Sequence, residues 1–280
     1  MYEKFYGLRK KAFSILPDPD FLYFSRHHRL AYGMLEYGLA QQSGFVLITG
    51  EIGTGKTTLV RYLIGHLTAR VTIGLIVNTH RRFGTVLDWV VGAFSIDHAA
   101  GDQVGLYRAL SRFLNKESQR NRRALLIVDE AQNLSSDALE ELRTLSNLNA
   151  SEQLLQIVLV GQPGLRDTLR QPDMHQFAQR VVVDYHLDPL TKEETKAYVV
   201  HRLRMAGGKQ PQLFEPMAVE RIYHASQGVP RLINVLCELA LVYGYAAHQS
   251  SIDAELVEKL IQDRSRGVLP IASHERTVAS

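Results

Sequence analysis

Apolar residues in this chain gather in two textures. Up to about residue 189, short apolar runs at 45–49, 72–78, 124–128, 154–160 and 181–187, bounded by turn residues, alternate with stretches of helical period. Runs of that length bounded by turn residues are strands buried on both faces, and their alternation with helices predicts a parallel five-stranded α/β sheet. After Pro189 no further strand-like run occurs. Amphipathic stretches follow one another at 192–205, 216–226, 230–247 and 253–263, which predicts a small all-helical domain over 190–263 behind an α/β core over 25–189. Thr191 and Glu194 stand at capping-box spacing, and Pro216 and Pro230 suit first helical turns. Beyond about residue 264 the period is lost, and a loose tail is expected over 264–280.

The first 24 residues fit neither texture. Phe5, Tyr6, Phe13, Phe21, Tyr23 and Phe24 fall among Gly7, Pro17 and Pro19 without helical or strand period. A disordered leader would carry fewer aromatics, so the expectation is an ordered arm packed on the α/β core. No internal repeat and no low-complexity tract is present.

Composition narrows the function classes. The 280 residues carry 32 Lys+Arg against 29 Asp+Glu, and neither texture is strongly basic, so bulk charge does not announce a nucleic-acid binder. The single cysteine, Cys237, excludes an intramolecular disulfide framework and a cysteine-based zinc site, which fits a reducing compartment. The opening Met1–Gly7 lacks the basic-then-apolar order of a secretory leader. The longest apolar run, 232–247, is broken by Asn234 and Glu238 and is shorter than a membrane span. A cytoplasmic setting is expected. Trp89 and Cys237 sit in helical apolar patterns and read as core.

The chemistry begins after the first strand, at Gly50, Glu51, Ile52, Gly53, Thr54, Gly55, Lys56, Thr57 and Thr58. This is the G-x-x-x-x-G-K-[ST] pattern in its strand-loop-helix context. The glycines let backbone N–H groups converge on phosphate oxygens, and the following helix presents its positive end. Lys56 supplies a point charge for the β and γ phosphates of ATP, and the Thr57 hydroxyl is suited to ligate Mg²⁺. The run 124–128 ends in Asp129 and Glu130. Side chains diverge at a strand end, so Asp129 is expected in the metal shell and Glu130 on the attacking water.

Gln162 follows the run 154–160 and emerges between the two previous loops, where it either holds the lytic water or γ-phosphate or is a turn residue before Pro163. Arg180 precedes the fifth run, and Arg231 lies in Gly228-Val-Pro-Arg231 at a helix start. A bound triphosphate concentrates negative charge and calls for arginines from elsewhere. Arg231 would come from the helical lid of the same subunit and Arg180 from a neighbouring subunit; surface ion pairing is the alternative for each. Arg81 and Arg82 follow the second run and read as solvated residues or as contacts to DNA phosphates. Arg120, Arg122 and Arg123 precede the strand of Asp129, at the sheet edge opposite the nucleotide, and read as a solvated loop.

The loop at 50–58, Asp129-Glu130, Gln162, Arg180 and the turn ending at Arg231, in that order before a helical lid, resemble the AAA+ ATPases. The opening Met1-Tyr-Glu-Lys-Phe-Tyr-Gly-Leu8, with Pro17-Asp-Pro-Asp-Phe-Leu-Tyr23 and Asp129-Glu-Ala-Gln132, is more narrowly similar to the ExeA/GspA group, which includes MshM and ATPases of exosortase loci. The resemblance implies a Mg²⁺-dependent ATP hydrolase that works as an ATP-promoted ring or helical homo-oligomer. It implies protein partners in assembly of a secretion or pilus machine, with peripheral placement at the inner membrane through those partners. It also implies that the arm and segment 24–40 line the adenine pocket, with His27 or His28 near the base unless both are surface residues. ExeA's membrane span and peptidoglycan-binding part find no counterpart, so the short MshM-like arrangement is the closer analogue. The alternative is a DNA-binding AAA+ regulator of transposition, TnsC-like, for which Arg81 and Arg82 are the local support.

Overall fold

The computed structural model of the chain describes residues 1–41, 44–77, 84–97, 103–148, 154–208, 210 and 212–265. In chain order the elements begin with α1 (Tyr2–Phe5), α2 (Arg26–Gln41), β1 (Phe45–Gly50), α3 (Lys56–His66), β2 (Val71–Ile76), α4 (Val86–Ala93), α5 (Gln103–Gln119) and β3 (Arg123–Val128). They continue with α6 (Ser136–Ser146), β4 (Leu155–Gly161), α7 (Gly164–Leu169), α8 (His175–Ala178), β5 (Val181–Leu187), α9 (Lys192–Met205), α10 (Pro216–Ser226), α11 (Pro230–Ala246) and α12 (Ala254–Ser265). They divide into two compact units.

The α/β unit holds Arg26–Ile52 and Lys56–Asp188. Its five strands are parallel in the order β2-β3-β4-β1-β5, as the apolar runs predict. Every residue of the central strands β1 and β4 is buried, whereas the edge strands β2 and β5 carry half-buried and exposed positions. That difference is the physical origin of the apolar runs in the central strands, because a strand covered by helices on both faces has no solvent side to make polar. One core of strand and helix side chains, among them Phe45, Leu126, Ile157 and Phe177, fills the unit. Strand β2 is shorter than its apolar run and ends at Ile76.

The helical unit holds α9 to α12 together with Met1–Ser25 and Gly53–Gly55. Helix α9 starts with a complete capping box between Thr191 and Glu194, and α10 and α11 start on Pro216 and Pro230. The N-terminal arm, expected on the α/β core, groups with this unit. Tyr2, Tyr6, Leu8, Phe13 and Phe21 are buried in one apolar cluster with Val199, Leu236, Leu241 and Val257. Gly244 has no side chain where Tyr6 passes: a Cβ there would lie 2.5 Å from the tyrosine oxygen. Arg202, itself 6% exposed, donates to the carbonyls of Ala12 at 2.7 Å and Ser14 at 3.0 Å and stands over the Phe21 ring. A buried guanidinium needs such partners, so the arm's backbone and the helix charge satisfy each other.

Candidate nucleotide site

The site is built where β1 ends. The strand is driven into the sheet by Phe45 to Ile48, and the chain leaves it at Gly50. Gly53 and Gly55 then take φ values of +86° and +102°, a region in which a side chain is strained. The turn delivers the chain directly into α3, whose first residue is Lys56. The Lys56 ammonium donates to the carbonyls of Gly50 and Glu51, each at 2.8 Å, so the loop wraps around its own lysine. The side chain is buried, and burial holds its pKa below the ordinary lysine value against the raising pull of Glu130, Asp129 and Glu51.

One residue on, the Thr57 hydroxyl donates to Asp129 Oδ2 at 2.8 Å. Asp129 follows β3 and is fixed by its backbone, since its N–H donates to the Ile76 carbonyl at 2.8 Å while Oδ1 accepts the Glu130 N–H at 3.0 Å. Thr57 and Asp129 therefore present oxygen donors at one point. An alcohol and a carboxylate suit a hard cation such as Mg²⁺, which keeps its remaining positions for waters and phosphate oxygens. Among the described residues no cluster of three or more His, Cys, Asp or Glu side chains is placed to hold a metal.

Glu130 sits in the left-handed region at φ 55° and opens a short helical turn without capping it through its side chain. Its carboxylate instead accepts from the Gln132 amide nitrogen, and the Gln132 amide oxygen accepts the Gln162 N–H at 2.9 Å. Strand order explains the meeting. Because β4 lies between β3 and β1, with Gly161 level with Thr49, the residue after β4 falls between the phosphate loop and the Asp129-Glu130 turn. Gln162 occupies that position, and among the described residues its side chain has no hydrogen-bond partner. In the sequence Gln132 is one residue of the string Asp129-Glu-Ala-Gln132; its contact to the residue after β4 arises from the pairing of β3 with β4.

The two arginines are placed differently. Arg231 is in the first turn of α11, and its N–H donates to the Gly53 carbonyl at 3.1 Å within the helical unit. A Cβ on Gly53 would lie 2.5 Å from the Arg231 Cβ, so the glycine is what lets this helix start approach the loop apex. Arg180 lies at the start of β5, where its carbonyl accepts the Phe45 N–H at 2.8 Å and its guanidinium donates to the Asn147 side chain. That is the end of the sheet away from the loop.

Near the loop, Thr49 Oγ1 and His186 Nδ1 are 3.1 Å apart, and Asp188 lies 3.3 Å from His27 Nδ1, which is also 3.1 Å from the Tyr185 hydroxyl. His27 is thus tied to the end of β5, and His28 is buried. Arg120 and Arg122 do not form a purely solvated loop: both face the buried Glu117, at 3.8 and 2.6 Å. Arg81 and Arg82 lie outside the described residues.

Comparison with known proteins places this geometry. A family model described as an AAA domain matches residues 39–169. General secretion pathway protein A of Aeromonas hydrophila is 42% identical over 249 residues, covering 88% of this chain; the chain spans 45% of that protein's length. The crystal structure of Cdc6p from Pyrobaculum aerophilum superposes with a TM-score of 0.66 at 17% identity, covering 88% of this chain and 70% of that one. The Thermotoga maritima RuvB Holliday junction branch migration motor gives 0.58 at 18%, covering 90% and 74%. At such identities the two structures carry the fold alone. With its phosphate loop, parallel sheet and secretion-pathway relative, the chain belongs to the AAA+ ATPases, in the group of General secretion pathway protein A.

Proposed function

We propose that this chain binds ATP with Mg²⁺ on the loop Gly50–Thr58, hydrolyses it through Glu130, and uses the cycle as an oligomer to drive or switch assembly of a secretion- or pilus-type envelope machine. The observation that carries the reading is the 2.8 Å bond from Thr57 to Asp129, which joins the phosphate loop to the carboxylate-bearing end of β3. The relationship to General secretion pathway protein A supports the envelope setting, with the protein cytoplasmic and held at the inner membrane by partners. Among the described residues no helix is long and apolar enough to cross a membrane.

In this mechanism the loop amides and Lys56 hold the phosphates. Thr57 and Asp129 would hold the ion, which would supply neutralisation of phosphate charge. Glu130 accepts the proton of the attacking water, Gln162 orients the water or the γ-phosphate, and Arg231 stabilises charge from the lid. Arg180 completes the site of the next subunit, since its own loop leaves the far end of β1.

The test is phosphate release by the purified chain with Mg²⁺, alone and with duplex DNA at two salt concentrations. Turnover that Glu130→Gln lowers about 100-fold or more, with no change on adding DNA, supports the proposal. Full turnover in Glu130→Gln contradicts the role of Glu130. Stimulation by DNA that fades with salt contradicts the envelope reading in favour of a DNA-acting ATPase.

A further inference from the structure

The Gln132 side chain is placed where a surface glutamine two residues beyond a catalytic carboxylate would not need to be. Its amide nitrogen donates to the Glu130 carboxylate, and its amide oxygen accepts the Gln162 N–H at 2.9 Å. Both ends of one planar group are used, so the orientation of the amide is set by two different strand ends. A flipped amide would set its oxygen against the carboxylate and its N–H₂ against another N–H.

The backbone around it is shaped for this contact. At Gly161, the last residue of β4, a Cβ would come within 3.0 Å of the Gln132 amide oxygen, 3.0 Å of Leu165 Cδ2 and 3.2 Å of the Gln132 nitrogen. A side chain at that position would displace the amide. Glu130 itself is held at φ 55°, ψ 37°, a conformation uncommon for a residue with a Cβ, and its carboxylate makes no cap bond that would account for it. From this turn the carboxylate meets Gln132 two residues on, and Gln132 passes the restraint to the end of β4.

We propose that Gln132 is a positioning residue for hydrolysis: it fixes the Glu130 carboxylate relative to the end of β4, so that Glu130 and Gln162 address the same water. This rests on the assignment of Glu130 to the water. A carboxylate on a flexible side chain loses rate when it is free to rotate, and a misplacement of about 1 Å can cost on the order of 100-fold. The amide donor removes that freedom without adding charge to the phosphate site, so its effect belongs on kcat and not on nucleotide affinity.

The experiment is a double-mutant cycle on the full chain between Gln132→Leu and Glu130→Gln, with single-turnover hydrolysis and nucleotide binding measured separately. Gln132→Leu is expected to lower the hydrolysis rate about 10- to 100-fold with nucleotide affinity changed less than about twofold. In the Glu130→Gln background the same change should have no further effect. If Gln132→Leu does not fold, Gln132→Glu takes its place: it keeps an acceptor for the Gln162 N–H but has no donor for Glu130, and it too should be slow. A wild-type rate in the folded variant overturns the proposal, as does an equal loss in both backgrounds, which would mean that Gln132 acts on the fold or the phosphates. A fast Glu130→Gln chain would instead remove the underlying assignment of Glu130, so the two failures are distinguishable.

Discussion

Arg180 and Phe45 meet at the start of neighbouring strands, with the Arg180 carbonyl accepting the Phe45 N–H at 2.8 Å. The phosphate loop leaves β1 at its opposite end, after Gly50. At about 3.3 Å per strand residue, roughly 16 Å of strand separates Phe45 from Gly50, which exceeds the reach of an arginine side chain.

If Arg180 acts on a nucleotide it must therefore act in trans. Arg180→Ala chains and Lys56→Ala chains, each inactive alone, should recover part of the activity when mixed, because some interfaces then join an intact loop to an intact arginine. Specific activity of the unmodified chain should rise with protein concentration, since an arginine supplied by a neighbour is worth on the order of 10³-fold or more in rate. Arg231→Ala, on the lid, should lose activity that mixing with Lys56→Ala chains does not restore. Concentration-independent activity and no recovery on mixing would leave the Arg180 guanidinium with its bond to Asn147 and no role at a nucleotide.

The arm is a structural part of the helical unit. Phe13 is fully buried there, against Phe214 at a ring-centroid distance of 5.8 Å. Phe13→Ala is expected to cost about 3–5 kcal/mol by lost burial and the cavity left behind. Chemical denaturation should show that loss, and a change below about 1 kcal/mol would mean the arm is not part of this core.

What could be read along the chain and what could not divide along physical lines. Strands β1, β3 and β4 are covered on both faces, so their apolar runs name them without any tertiary knowledge, and Thr191, Pro216 and Pro230 mark helix starts by local chemistry. The loop at Gly50–Thr58 is a local backbone device and is equally visible. The arm's aromatics announce burial, but nothing local says that they cluster with Val199, Leu236 and Val257. Gln132 is invisible for the same reason: its meaning depends on the Gln162 N–H, brought near by strand order. The pairing of Arg122 with Glu117 also depends on the turn between α5 and β3.

That pairing predicts an acid sensitivity. Burial pushes the Glu117 carboxyl up, but hydrogen bonds from Thr72 and Arg122, with the charges of Arg122 and Arg120, outweigh it and hold the group below its ordinary value. A carboxylate depressed in this way stabilises the fold above its unfolded-state pKa, and that contribution is lost as pH falls through the folded value. Glu117→Gln should therefore melt below the unmodified chain at neutral pH, with the gap narrowing as the pH falls below the ordinary carboxylate range. A gap that does not change with pH would show that the charge of Glu117 is not what stabilises this corner.

Nucleotide titration of Lys56→Ala is the most direct test of the phosphate-loop assignment. The ammonium sits within the loop on the carbonyls of Gly50 and Glu51; in the proposed mechanism it meets ground-state phosphate charge, whereas Glu130 acts on the water. With a fluorescent ATP analogue and Mg²⁺, Lys56→Ala should bind about 10-fold or more weakly than the unmodified chain, while Glu130→Gln should bind within about twofold of it and fail in turnover. Equal affinity of Lys56→Ala and the unmodified chain for the analogue would contradict the assignment of this loop as the nucleotide site.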